Sequence, residues 1–302
     1  MAWRGIHLSR SAYLSIEHRA LKLEFRDDEG GAFRLSLEDL SYLILDTPEI
    51  SISGRLLAEL AEANVLVLGV NSRHLPVWTA LPWTRFHRQG EVLRQQLEAT
   101  LPQKKQLWSH IVRSKIQAQA WHLDQRFPQQ GQILKAMLEH VRSGDPENVE
   151  ARAARCYWQS LFPDREFRRH DDDLPNALLN YAYALLRACI ARNLCALGFI
   201  PQLGLHHESL SNPYNLADDL IEPYRAIADH FALESLEEAP SSEPFSTEHR
   251  RSLARLLEAE VFIENEVYSM TAAIELTCGS LKKALAQRDP ARLLFPSFEP
   301  SK

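Results

Sequence analysis

Over the first eighty residues, apolar and polar positions alternate with period two: Gly5-Ile6-His7-Leu8, Tyr13-Leu14-Ser15-Ile16, Leu21-Lys22-Leu23-Glu24-Phe25 and Phe33-Arg34-Leu35-Ser36-Leu37. Period two sends successive side chains to opposite faces of a strand. Asp27-Asp28-Glu29-Gly30-Gly31 supplies a turn between two of these runs, so the pattern predicts antiparallel strands. Ser51 to Ala63 departs from it, because Leu56, Leu57, Leu60 and Ala61 recur at helical spacing. A buried strand, Val65-Leu66-Val67-Leu68-Gly69-Val70, and a shorter one around Val77 are expected next. Residues 1–80 are thus predicted to form a small, mostly β domain with one short helix.

After Pro82 the period changes to 3.6 and stays there, the kind of shift that marks a domain boundary. Leu107, Ile111, Val112 and Ile116 form one apolar stripe, Ile133 to Val141 another, and Asn176 to Ile200 reads as a long central helix. Asp145-Pro146 predicts a helix start, with a carboxylate cap and proline at the first helical position. Asn215 is placed to cap a helix after Ser211-Asn212-Pro213, and Glu234 to Pro244 reads as a flexible loop. The predicted class is α+β, with a larger all-α C-terminal domain over 81–302.

The chain has 302 residues, 45% of them hydrophobic and only 11 Gly, which supports buried cores throughout. No apolar run approaches the roughly 20 residues that a bilayer-spanning helix needs. The opening Met-Ala-Trp-Arg-Gly-Ile-His-Leu reads as a strand rather than a secretion signal, so a cytoplasmic protein with no membrane partner is expected. Cys156, Cys189, Cys195 and Cys278 include no Cys-x-x-Cys pair, which argues against a zinc site. With 34 basic and 40 acidic residues the net charge is -6, which excludes a uniformly basic nucleic-acid binder. DNA contact would have to come from local patches: Arg85-Phe86-His87-Arg88, Lys104-Lys105, Arg152 with Arg155, and Arg165 through His170, against an acidic stretch from Glu234 to Glu243. Such clusters are more often solvated helix faces.

Three segments concentrate groups that suit hard cations and phosphates. On a helix, Glu150, Ala153, Ala154 and Tyr157 share one face, with Arg152 and Arg155 flanking it. An exposed Glu beside an alanine packing seam is the competing reading. Leu203-Gly204-Leu205-His206-His207-Glu208 offers imidazoles, though paired histidines are common in loops. In Asn215-Leu216-Ala217-Asp218-Asp219-Leu220-Ile221-Glu222-Pro223-Tyr224-Arg225, Asp218 or Asp219 can point the same way as Glu222; a bound cation would relieve their repulsion. Asp218 can equally serve the helix N-terminus, and Pro223 predicts a kink beside Glu222. Two carboxylates and an imidazole make an open metal site of the kind phosphoryl transfer uses.

Taken together, these segments resemble the CRISPR adaptation integrase family, Cas-one. Glu150-Ala151-Arg152-Ala153-Ala154-Arg155-Cys156-Tyr157-Trp158 looks like its Glu-x-x-Ala-Ala-x-x-Tyr helix, Leu203 to His207 is similar to its Gly-x-x-His segment, and Asp219 to Arg225 resembles its Asp-Leu-x-Glu-x-Phe-Arg block. The family places its last metal carboxylate fifteen positions after the histidine, and Glu222 lies fifteen after His207. The opening Met-Ala-Trp-Arg-Gly-Ile, Leu107-Trp108-Ser109-His110-Ile111-Val112-Arg113-Ser114-Lys115-Ile116 and Asn176 to Leu186 look like the type II branch found beside Cas-nine effectors. The doubled His206-His207 and Tyr224 in place of the usual Phe depart from the pattern.

The resemblance implies a β domain followed by a helical domain, dimerising and assembling with a Cas-two homologue around a DNA duplex, the prespacer. Other type II adaptation proteins, including Cas-nine, are further implied partners. The 3′ hydroxyls of the prespacer would attack the CRISPR repeat with Mg²⁺ or Mn²⁺ as cofactor. Glu150, His207 and Glu222 would be the metal-binding catalytic residues, Asp219 and His206 would stand behind them, and Lys115, Arg152 and Arg155 would contact DNA. The rival expectations are a metal-dependent nuclease acting on branched DNA and a non-catalytic subunit that measures DNA length.

Overall fold

The computed structural model describes residues 4–27, 31–82, 86–162, 168, 169, 172–238 and 245–299. It begins with strands β1 (Arg4–Leu8), β2 (Ala12–Glu17), β3 (Ala20–Phe25), β4 (Phe33–Ser36), β5 (Leu40–Leu45) and β6 (Ile50–Ile52). Helix α1 (Gly54–Glu62), β7 (Leu66–Val70) and β8 (Pro76–Thr79) follow. The alternating runs account for β1 to β4. β5 escaped that pattern because Leu-Ser-Tyr-Leu-Ile-Leu is almost continuously apolar, as a strand buried on both faces must be.

Two four-stranded sheets result, in the orders β4-β3-β2-β6 and β1-β5-β7-β8. The expectation of antiparallel pairing holds for β2-β3-β4 and for β7-β8, but β1, β5 and β7 run parallel, as does β6 beside β2. For β5 and β7 the physical reason is α1. A helix between β5 and β7 carries the chain back across the sheet, and such a crossover returns the next strand in the same direction. The β1-β5-β7-β8 sheet is covered on both sides: Leu43, Leu45 and Val67 join the core beneath α1, whereas Tyr42, Ile44, Leu66 and Leu68 join the core of the helices.

From residue 89 onward helices dominate: α2 (Gln89–Leu97), α3 (Leu101–Arg126), α4 (Gly131–Met137), α5 (Val149–Leu161), α6 (Leu174–Leu197), α7 (Asn215–Ile221), α8 (Arg225–Glu238), α9 (Thr247–Ala254) and α10 (Met270–Gln287). α6, apolar almost all round, is the central helix and packs against α7, α8, α9 and α10. A hairpin of β9 (Glu260–Ile263) and β10 (Glu266–Ser269) adds strands to this otherwise helical region. It turns through Glu264 and Asn265, both at positive φ. Among the described residues no helix is long and apolar enough to cross a membrane.

Three local expectations are corrected. Asp145 does cap α5, accepting from the backbone N–H groups of Val149 and Glu150 at 2.9 Å each, but from outside the helix, so Pro146 is not its first residue. Asn215 is the first residue of α7 rather than its cap; its side chain instead donates to the carbonyls of Gln202 and Ser209. The predicted loop from Glu234 is helical through Glu238, and residues 239–244 lie outside the described residues, as do Met1 to Trp3, Arg85, Arg165 to Glu166-Phe167 and His170.

One buried carboxylate ties the sheets to the helices. Asp46, just after β5, is fully enclosed and meets Arg250 Nε of α9 at 2.7 Å, His74 Nδ1 at 2.7 Å and His7 Nε2 at 3.0 Å. Burial alone would raise its pKa, but the bonds from His7, Arg250 and His74 outweigh burial and hold the carboxyl below the ordinary aspartate value. A group depressed in this way stabilises the fold above its unfolded pKa and loses that contribution as the pH falls through the folded value. Asp46→Ala should therefore cost about 3–5 kcal/mol in urea unfolding at pH 7, because it strands buried Arg250. The gap between variant and wild type should shrink below about pH 4; a pH-independent gap would contradict this.

Candidate active site

Helix α3 is the frame of the site. Lys104, Trp108, Ile111 and Lys115 recur at three- or four-residue spacing and so share one face. The core stripe already legible in this helix runs through Ile111, and Lys115 lies one turn further along it, which is why a lysine here is 8% exposed. Its ammonium lies 2.5 Å from Glu150 Oε1 and 2.5 Å from Glu222 Oε2. Lys115, expected to touch DNA, is therefore committed to two carboxylates, while Arg152 and Arg155 are exposed on α5.

Glu150 stands in the first turn of α5, whose face toward α3 is made by fully buried Ala153 and Tyr157. The small alanine lets the two helices approach and brings Glu150 to Lys115. Glu222 arrives from the other side of the site. Pro223 lacks an N–H and cannot continue α7, so Glu222–Tyr224 form a 3₁₀ turn before α8 begins, matching the predicted kink. The Glu222 carboxylate is 5% exposed, and its Oε1 accepts from Arg225 Nε at 2.9 Å. Burial would push its pKa up, but Arg225 and Lys115 beside it bring it down to about 2. Oε2 is buried at ion-pair distance from Lys115 yet has no aligned hydrogen-bond donor.

The imidazole comes from the loop between α6 and α7. Asp219, fully buried on α7, accepts the backbone N–H groups of Leu205 at 2.5 Å, His206 at 3.1 Å and His207 at 3.1 Å, and pairs with His207 Nδ1 at 2.7 Å. With Nδ1–H donating to Asp219, the free lone pair of His207 is on Nε2. The Asp219 hydrogen bond also raises the His207 pKa. A Cβ on Gly204 would lie 2.2 Å from the His207 carbonyl oxygen and 2.8 Å from Asp219 Oδ2, so this wrap requires glycine. The doubled histidines differ clearly: His206 stacks on Trp108, ring centres 4.0 Å apart and ring planes nearly parallel, whereas His207 meets the same ring edge-on at 5.8 Å. Asp218 stands apart from the Lys115 cluster, bonded to Asn212 at 2.7 Å with Arg187 3.9 Å away.

Behind Glu222 lies a network that residue patterns did not reveal. Arg225 rests 4.5 Å over the Tyr183 ring, and the hydroxyls of Tyr183 and Tyr157 both donate to buried Asp229, Tyr157 at 2.8 Å. His122 Nδ1 meets the Tyr157 hydroxyl at 2.5 Å. Asp229 thereby links α5, α6 and α8, the helices around the two carboxylates. Its only signal in the sequence was a polar residue on an apolar helix face.

Among the described residues no three His, Cys, Asp or Glu side chains are close enough together to enclose an ion as they stand. The donor chemistry nevertheless suits a divalent cation. Two hard carboxylates converge on one positive charge, one carboxylate oxygen lacks an aligned donor, and the imidazole has a fixed tautomer.

Solved structures share this architecture. A chain of the partial Cas6-RT-Cas1–Cas2 complex superposes with a TM-score of 0.65 at 18% identity, covering 99% of this chain and 100% of that one. A casposase bound to integration product gives a TM-score of 0.58 at 18% identity, covering 93% and 94%. The fold is thus that of Cas1 proteins and of a casposase. The family model described as CRISPR associated protein Cas1 matches residues 7–256. The CRISPR-associated endonuclease Cas1 of Neisseria meningitidis serogroup C (strain 8013) is 36% identical over 303 residues, covering 100% of this chain and 98% of that protein. The chain belongs to the Cas1 family.

Asp229 supplies a stability test. Burial outweighs its two tyrosine hydrogen bonds and raises its pKa to about 6. A raised carboxyl contributes fully below its unfolded value near 4 and loses that contribution as the pH rises through about 6. Between pH 4.5 and 7.5 wild type should lose on the order of 2–3 kcal/mol relative to Asp229→Asn, which keeps an acceptor but cannot ionise. Parallel pH profiles of the two proteins in denaturant titrations would contradict this.

Proposed function

We propose that this Cas1 protein is an integrase of CRISPR adaptation, joining the 3′ hydroxyl ends of prespacer DNA to the CRISPR repeat by phosphodiester exchange. The observation that carries the reading is the convergence of Glu150 and Glu222 on one point, with the Asp219-fixed His207 in the adjoining loop. Glu150, Glu222 and Nε2 of His207 would hold Mg²⁺ or Mn²⁺. The bound cation would polarise the attacked phosphate and stabilise charge on the departing oxygen.

The exchange is balanced without an energy source. The prespacer 3′ oxygen forms a bond to phosphorus, the existing P–O3′ bond of the repeat strand breaks, and the proton lost by the attacking hydroxyl equals the one gained by the departing oxygen. This chain's residues position the groups. Asp219 clamps the backbone of residues 205–207 and orients the imidazole, Trp108 supports His206 beneath the loop, and Arg225 fixes the Glu222 carboxylate. Two structural neighbours, a Cas1–Cas2 complex and a casposase bound to integration product, support DNA and a Cas2 homologue as partners, which a Cas1 dimer would engage. The blocks built into α3 and α6 support the type II branch, working beside Cas-nine in the cytoplasm.

A second reading is favoured by the name of the Neisseria relative, an endonuclease. Water in place of the 3′ hydroxyl would make the same site a nuclease for branched DNA. The two are separated by offering purified protein, its Cas2 partner and Mn²⁺ both a labelled prespacer with a repeat-bearing plasmid and a branched duplex. Joined product is expected; cleavage of branched DNA with no joining would overturn integration as the function.

Removing His207 as Ala should reduce joining by at least about 100-fold, in the range of losing a principal catalytic group, while DNA binding is retained. His206→Ala should be milder. Equal joining by wild type and the His207 variant would refute the site. With a net charge of -6, the chain alone should bind DNA weakly at physiological salt and gain strongly from its partner, measured by fluorescence anisotropy. Tight, salt-insensitive binding by the chain alone would contradict this.

A further inference from the structure

We infer that Lys115 is a built-in counterion which holds Glu150 and Glu222 together in the metal-free protein and must be displaced for a divalent cation to enter. The inference rests on the reading of Glu150 and Glu222 as metal-holding residues and adds a step to it.

Two carboxylates brought together in a poorly solvated place repel one another, and each loses hydration. Something positive must compensate. Arg225 bonds only Glu222, through Oε1. Among the described residues Lys115 is the one cation within ion-pair distance of both, at 2.5 Å from each. Its place on α3 is built in, one turn beyond Ile111 on the core face, so its stem is packed and its ammonium is aimed at the carboxylates. Lysine suits this task better than arginine would, because its compact charge sits on four rotatable methylenes and is not locked into a planar fork.

An ammonium and a divalent cation cannot occupy the interval between the same two oxygens, since their repulsion adds to the loss of each one's ion pair. Cation binding is therefore coupled to movement of Lys115, and the apparent affinity of the free protein is lowered by the fraction of molecules in which the ammonium remains in place. Glu150, with 25% of its side chain exposed against 6% for Glu222, marks the side on which the cluster is open to solvent. Once displaced toward that side, the ammonium would become available to a DNA phosphate. The arrangement also protects the fold. A metal-free site without Lys115 would keep Arg225 on Glu222 alone and leave Glu150 facing it with no cation between the two carboxylates.

The test is Mn²⁺ binding by the full-length purified chain without DNA, followed by the electron paramagnetic resonance signal of free Mn²⁺, together with thermal unfolding with and without Mn²⁺. Lys115→Met, which keeps the stem and removes the charge, is expected to bind Mn²⁺ at least about tenfold more tightly than wild type. It should unfold at lower temperature without metal and recover more on Mn²⁺ addition than wild type does. Lys115→Arg, which keeps the charge, should bind no more tightly than wild type. Glu222→Gln, the control on the site itself, should lose at least about tenfold in affinity.

If Lys115→Met binds Mn²⁺ no better than wild type while Glu222→Gln loses binding, the counterion role is wrong and the metal site stands. If Glu222→Gln binds like wild type, the metal site is wrong and the inference falls with it. Should Lys115→Met be unfolded without metal, circular dichroism on adding Mn²⁺ decides the matter. Refolding supports the role, and a chain that stays unfolded overturns it.

Discussion

Glu150 and Glu222 are seventy-two positions apart in the chain, one in the first turn of α5 and the other in the 3₁₀ turn after α7, and the fold makes their carboxylates meet at one ammonium. Like charges cannot be brought together in a poorly hydrated place unless something binds them both, so the helices around them must serve that condition. α3 provides Lys115 at a core position, α5 provides an alanine face that permits close approach, and Pro223 ends α7 where Glu222 has to turn inward. Glu222 is held twice, by Lys115 and by Arg225, and Arg225 is steadied by the ring of Tyr183.

The same economy governs the histidine loop. A single buried carboxylate, Asp219, accepts three consecutive backbone N–H groups and one imidazole nitrogen, so one side chain fixes the loop's path and the tautomer of His207 together. Asp46 and Asp229 act in a related way elsewhere, each a buried acid with several donors and each joining elements distant in the chain. Their pKa values move in opposite directions because their donors differ. Asp46 is met by an arginine and two histidines, Asp229 by neutral tyrosine hydroxyls.

The alternation of Leu21 to Phe25 and the helical stripe through Leu107 and Ile111 are local properties, and the strand and helix they implied are present. Parallel pairing of β1, β5 and β7 was not legible, since it depends on crossovers, through β2 to β4 between β1 and β5 and through α1 between β5 and β7, that no single strand's pattern encodes. For the site, the spacing from His207 to Glu222 pointed to the histidine that is bonded to Asp219. The partners of Lys115 stayed hidden because they arise from α3, α5 and the turn after α7 meeting in space, and the sequence placed Lys115 only as a DNA contact. Asp145 and Asn215 show the same limit at smaller scale. Both lie near helix starts but not at the cap positions expected, and their bonds go to groups whose positions depend on the turns around them.

Glu150, His207 and Glu222 are proposed as one cation site of this Cas1 protein. Anomalous diffraction from crystals of this chain soaked in Mn²⁺ tests it most directly. One strong peak is expected, bounded by Glu150, Glu222 and Nε2 of His207, with Lys115 moved from between the carboxylates. A peak at Asp218 or His206 that excludes Glu150 and Glu222, or no peak at a Mn²⁺ concentration that supports joining, would contradict it.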